Sequence, residues 1–77
     1  MPPLPIIKPK QVVKALKRAG FYRDHQTGSH AQFLHSDKPS LRVTVPMHNK
    51  DVKRGTLRNI IRQAGLTVDE FIEYLEK

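Results

Sequence analysis

The chain contains no cysteine and no tryptophan, and its aromatic side chains are three phenylalanines and two tyrosines. Without cysteine there can be neither a disulfide framework nor a thiolate zinc site, so packing alone must hold the fold. No apolar run approaches the roughly 18 residues needed to cross a bilayer. The start, Met1-Pro2-Pro3-Leu4-Pro5-Ile6-Ile7, has no cationic leader followed by a long apolar stretch. The expectation is a soluble, cytoplasmic protein. Phosphate-binding glycine loops, dinucleotide fingerprints and the HExxH metal pattern are missing as well.

Acidic side chains are scarce where basic ones are dense. Residues 1–62 hold 13 Lys and Arg against 3 Asp and Glu, whereas residues 63–77 hold 1 against 4. The resulting net charge of +7 favours a polyanionic partner, since phosphate contacts give sequence-independent affinity. At 77 residues the chain supports one domain with a thin core. Any active site should therefore be shallow and open, suited to a large ligand rather than an enclosed small molecule.

Three prolines among the first five residues make residues 1–7 an extended Pro-rich tail, with a single folded domain over 8–77. Val12, Val13, Leu16 and Ala19 fall at helical spacing, which predicts a first helix over 9–19 with Pro9 in its first turn and Gly20 at its end. Lys10, Lys14, Lys17 and Arg18 occupy its other side. Phe21–Gln26 and His30–His35 flank Thr27-Gly28, a hairpin signal. With a loop at 27–28 or 26–29, His25 stands opposite His30 and Tyr22 opposite Phe33. Alternation then puts Tyr22, Ala31 and Phe33 on a core face, and Arg23, His25, His30 and Gln32 on a polar one. Leu41, Val43 and Val45 alternate with Arg42 and Thr44 to form a third strand, which Pro46 ends. Residues 47–55 read as a polar loop. Leu57, Ile60, Ile61 and Ala64 make a second helix closed by Gly65, and Thr67 and Glu70 have capping-box spacing for a short third helix. The expected fold is α+β: a two-layer sandwich with a three-stranded antiparallel sheet, helices on one face and the other face open. Its order, α-β-β-β-α with a short C-terminal helix, matches the double-stranded-RNA-binding domain at the level of fold.

The four histidines, His25, His30, His35 and His48, show no metal-ligand spacing, and few acids lie near them in sequence, so neither metal nor cofactor is expected. Ser29 adjoins His30, but there is no nucleophile elbow and only Asp24, across the hairpin, as an orienting acid. What remains is histidine on an open, cationic sheet face. Its unperturbed pKa suits proton transfer near neutrality, which fits metal-free RNA cleavage, where the ribose 2′-hydroxyl supplies the nucleophile. The residues alone leave two readings of His30: a proton-transfer group, or an exposed hairpin histidine without a role. Lys50, Lys53 and Arg54, with Arg58 one turn further on, could grip phosphate at a helix N-terminus or form an inert solvated loop.

Three ordered motifs carry a resemblance. They are Gly28-Ser29-His30-x-x-Phe33, Val43-Thr44-Val45-Pro46-x-His48, and Lys50 with Gly55-Thr56-Leu57-Arg58-x-Ile60-Ile61-x-Gln63-Ala64-Gly65-Leu66. From about Lys10 to Leu75 the chain resembles the HicA (YcfA-like) mRNA interferase toxins of type II toxin-antitoxin systems. The resemblance implies a metal-independent endoribonuclease acting on mRNA, with His30 as its catalytic histidine and a HicB-type antitoxin that covers the active surface. Gly28, Ser29, Lys50, Lys53, Arg54 and Arg58 are the candidate RNA-binding residues, and His48 and His25 are secondary catalytic candidates. The free toxin is expected to be monomeric. Competing readings are a non-catalytic RNA-binding module using the same basic surface and a protein-binding adaptor.

Overall fold

The computed structural model describes residues 3–77; the first two residues of the expected tail, Met1 and Pro2, lie outside it. Six elements follow in order: α1 (Pro9–Arg18), β1 (Phe21–Thr27), β2 (His30–His35), β3 (Arg42–Pro46), α2 (Arg54–Gln63) and α3 (Val68–Glu76). The strands form one antiparallel sheet in the order β1-β2-β3. This is the expected two-layer α+β architecture, like that of double-stranded-RNA-binding domains.

Local chemistry explains the helix limits. Pro9 opens α1, where its missing N–H costs nothing, and Gln11 Oε1 accepts the Lys8 N–H at 2.9 Å. At the far end of α2, Gly65 N–H donates to Arg62 C=O and Leu66 N–H to Ile61 C=O, a Schellman closure. Helix α3 starts on a complete capping box: Thr67 Oγ1 accepts the Glu70 N–H, and Glu70 Oε1 accepts the Thr67 N–H. The Arg18 guanidinium donates to the carbonyls of Tyr74 and Leu75, so the end of α1 caps the end of α3.

The inner sheet face presents Phe21, Ala31, Phe33, Val43 and Val45 to Val12, Leu16, Leu57, Ile60, Ile61 and Phe71. Phe33 and Phe71 are fully buried, and burial of each contributes about 2–3 kcal/mol. Packing reaches back beyond the expected domain start: Ile7 is buried, and its carbonyl accepts the Val52 N–H at 2.8 Å. That clamp fixes the chain just before α2. The helix accordingly begins at Arg54 rather than in the Thr56 region, and two residues assigned to the polar loop join its first turn.

The β1–β2 pairing corrects the expected register. The loop is Gly28-Ser29, and Thr27 faces His30, His25 faces Gln32 and Tyr22 faces Leu34. Gly28 takes φ 58°, suiting a two-residue turn with glycine first. An irregularity between Arg23 and His25 makes Asp24 an extra residue on β1. The bulge reverses the alternation upstream of it. Phe21 is buried and Tyr22 is exposed, and Arg23 lies on the inner side with its guanidinium 5.7 Å from the Phe33 ring centroid. The expected faces of Tyr22 and Arg23 are therefore exchanged, while His25, His30 and Gln32 do share the outer face.

Candidate functional site

His30 is the first residue of the central strand and faces outward, paired with Thr27 on one side and Pro46 on the other. It is exposed, and among the described residues nothing hydrogen-bonds its ring. The strand register places it because Ala31 and Phe33 must point inward. The turn before it is held from the neighbouring strand, since Met47 N–H donates to the Ser29 carbonyl.

A groove of about 350 Å³ runs from His30 over Thr44 and Pro46 to α2, where Thr56, Asn59, Ile60 and Gln63 form its other wall. Helix α2 lies along the free edge of β3, and Gln63 Oε1 accepts the Thr44 N–H at 3.1 Å. This satisfies an amide that an edge strand would otherwise leave open. Thr44 Oγ1 in turn donates to Gln32 Oε1 at 3.0 Å on the outer face. The groove thus joins His30 to Thr56 in the first turn of α2; Lys53 at the N-cap position, Arg54 in that turn and Arg58 one turn further on are not part of its lining, and Arg54 borders a separate pocket with Leu4, Pro5, Ile6 and Val52. No side chain caps the first turn of α2 and no acid lies in it, so its first amides are left without a side-chain acceptor.

The structure separates the remaining candidates. His48 does not line the His30 groove; with Lys8, Lys10, Gln11, Lys14 and Asn49 it lines a second, larger depression beside α1. Its Nδ1 accepts the Lys50 N–H at 3.2 Å. Lys8 pairs with Asp51 at 3.3 Å and donates to the Asn49 carbonyl, tying that loop to α1. His25 is on the outer face, with Nδ1 2.7 Å from Asp24 Oδ2. Gly28 and Ser29 make the hairpin turn beside His30.

His35 closes the inner end of the same strand. Its Nδ1 accepts the N–H groups of Asp37 and Lys38 at 3.0 and 3.2 Å, so the proton lies on Nε2, which donates to the Ala19 carbonyl at 2.9 Å. The ring also meets Phe21 edge-on, 4.8 Å between centroids. Both nitrogens are committed, so His35 is a structural residue.

Sequence reading missed Thr44, Asn59 and Gln63 as groove residues. Thr56, Asn59 and Gln63 lie at helical spacing beside the apolar stripe of α2, a polar stripe that could have signalled them. Among the described residues no three His, Asp or Glu side chains gather as metal ligands would. No helix among them is long and apolar enough to cross a membrane. A family model described as the HicA toxin of bacterial toxin-antitoxin systems matches residues 9–66, from the first residue of α1 through the Schellman closure after α2. No curated protein matches the chain.

Proposed function

The chain belongs to the HicA toxin family, the toxin half of bacterial toxin-antitoxin systems, and on that premise we propose that it is a metal-independent endoribonuclease acting on mRNA, with His30 as a proton-transfer group. The observation that carries this reading is the exposed His30 ring, free of hydrogen bonds among the described residues, at one end of a groove whose other wall is α2, from Thr56 in its first turn to Gln63. An RNA strand that left the groove past Thr56 and crossed the start of α2 would bring its phosphates to Lys53, Arg54 and Arg58 and to the uncapped amides of that turn, while Gly28 and Ser29 bound it at the hairpin. Lys50, in the preceding loop, extends the same positive field.

The chemistry asks little of the protein's depth. A base takes the proton from a ribose 2′-hydroxyl, the oxygen attacks the adjacent phosphorus, and an acid protonates the departing 5′-oxygen. Because the substrate carries its own nucleophile, an open site suffices, and the protein's positive field offsets the negative charge that builds on the non-bridging phosphate oxygens. The partner as antitoxin follows from the family; that it is a HicB-type protein covering the groove and His30 is part of the proposal.

The test incubates RNA with purified, antitoxin-free protein in chelator and compares wild type with His30→Ala. Cleavage by wild type and its loss in the variant are expected. RNA that binds in a salt-sensitive way but stays intact would replace this reading with a non-catalytic RNA-binding module.

A further inference from the structure

Cleavage through a 2′-hydroxyl needs two proton transfers, and His30 can supply only one at a time. Resting on the reading above, we propose that the Asp24–His25 pair is the second unit, with His25 as the acid that protonates the leaving oxygen, His30 as the base, and Asp24 as a positioning residue.

The bulge in β1 aims His25 outward. Phe21 and Arg23 face inward, so uninterrupted alternation would turn His25 inward too; the extra residue at Asp24 moves it to the outer face. Bulges concentrate beside active sites because they re-aim a side chain in this way. His25 pairs with Gln32 and Thr27 pairs with His30, which makes His25 and His30 diagonal neighbours on adjacent strands. Diagonal neighbours stand about 7–8 Å apart with their Cβ atoms somewhat closer, a span that accommodates a phosphodiester between two imidazoles. Both rings are exposed on that face.

The roles divide by counter-ion. Asp24 Oδ2 lies 2.7 Å from His25 Nδ1, so a proton stays on Nδ1 and Nε2 is the position free to exchange with substrate. When Nε2 also carries a proton, the contact is an ion pair. Among the described residues no carboxylate pairs with His30, and the α2 wall of its groove, Thr56, Asn59, Ile60 and Gln63, carries no acid. His30 therefore takes the 2′-hydroxyl proton as the new bond from O2′ to phosphorus forms. The bond from phosphorus to O5′ breaks, and His25 gives its Nε2 proton to O5′. The products are a 2′,3′-cyclic phosphate and a 5′-hydroxyl end, the enzyme's two histidines having exchanged protonation states. His48 lies in a different depression, with its Nδ1 already accepting the Lys50 N–H, and has no such relation to His30.

The test uses a short RNA whose cleaved linkage has been mapped, and the same RNA with sulfur in place of the bridging 5′-oxygen at that linkage. A thiolate leaves without being protonated, so it bypasses the acid and not the base. With ordinary RNA, His25→Ala should be slower than wild type by about 10²-fold or more. With the sulfur substrate it should approach the wild-type rate, whereas His30→Ala should stay impaired on both. Asp24→Asn should show a smaller loss with the same rescue, which a purely structural role would not give. His30→Ala inactive beside His25→Ala at wild-type rate overturns this assignment alone, as does a His25→Ala loss that sulfur fails to relieve. Wild-type rates in both variants overturn the catalytic reading of the site itself.

Discussion

The two ends of β2 each carry a histidine, and they have opposite fates. At one end His35 faces inward, with both ring nitrogens hydrogen-bonded to backbone groups and its ring edge-on to Phe21. At the other, His30 faces outward with an unoccupied ring above a groove. Five residues apart on a strand, they fall on opposite faces by parity alone. The same side chain thus serves as a strut where the fold consumes its hydrogen-bonding capacity, and as a reagent where that capacity is left for a ligand. A histidine's availability, rather than its presence, marks the candidate site.

The sharpest way to break this contrast is at the free end. His30→Ala should lower RNA cleavage by about 10²–10⁴-fold, the usual size of a proton-transfer contribution, with thermal melting unchanged because the side chain is exposed and its ring makes no hydrogen bond among the described residues. A comparable fall in melting temperature would show that His30 is a strut as well.

At the committed end the largest effect should come from Gly20→Ala. Gly20 sits at φ 104°, and an added Cβ would stand 2.6 Å from His35 Nε2. The variant must strain its backbone and displace the ring, costing about 2–3 kcal/mol, readable by chemical denaturation. His35→Ala leaves a smaller defect, about 1–3 kcal/mol, because the Asp37 and Lys38 amides at the surface can turn to water. If His35→Ala proves as stable as wild type, the hydrogen bonds at that end hold nothing.

The smallest effects should come from the cations at the start of α2. Arg54→Ala or Arg58→Ala should weaken RNA binding and reduce the slope of log affinity against log salt by about 0.7 each on single-stranded RNA, one phosphate contact apiece. An unchanged slope would remove that residue from the interface.

Much of this contrast was legible in the sequence. Helix α1 follows from Val12, Val13 and Leu16 with Pro9 before them, and the α3 capping box was visible as Thr67 and Glu70. His30 on an open face followed from Ala31 and Phe33 needing the core. The bulge was not legible, because Arg23-Asp24-His25 contains no glycine or proline to mark it and alternation had to be read straight through. The turn at Gly28-Ser29 moved the pairing of His25 from His30 to Gln32, and the bulge then exchanged Tyr22 with Arg23. The groove was only half legible: Thr56, Asn59 and Gln63 form a polar stripe on α2, but that stripe and Thr44 become neighbours of His30 only when α2 lies along the β3 edge, a tertiary contact.

The most direct test places the two ends of β2 side by side. RNA cleavage, assayed well below the melting transition, and thermal melting are measured on the same preparations of wild type, His30→Ala and His35→Ala. His30→Ala should lose cleavage and keep its melting temperature, while His35→Ala should lose melting temperature and keep cleavage. Cleavage retained in His30→Ala, or abolished in a folded His35→Ala, would contradict the account.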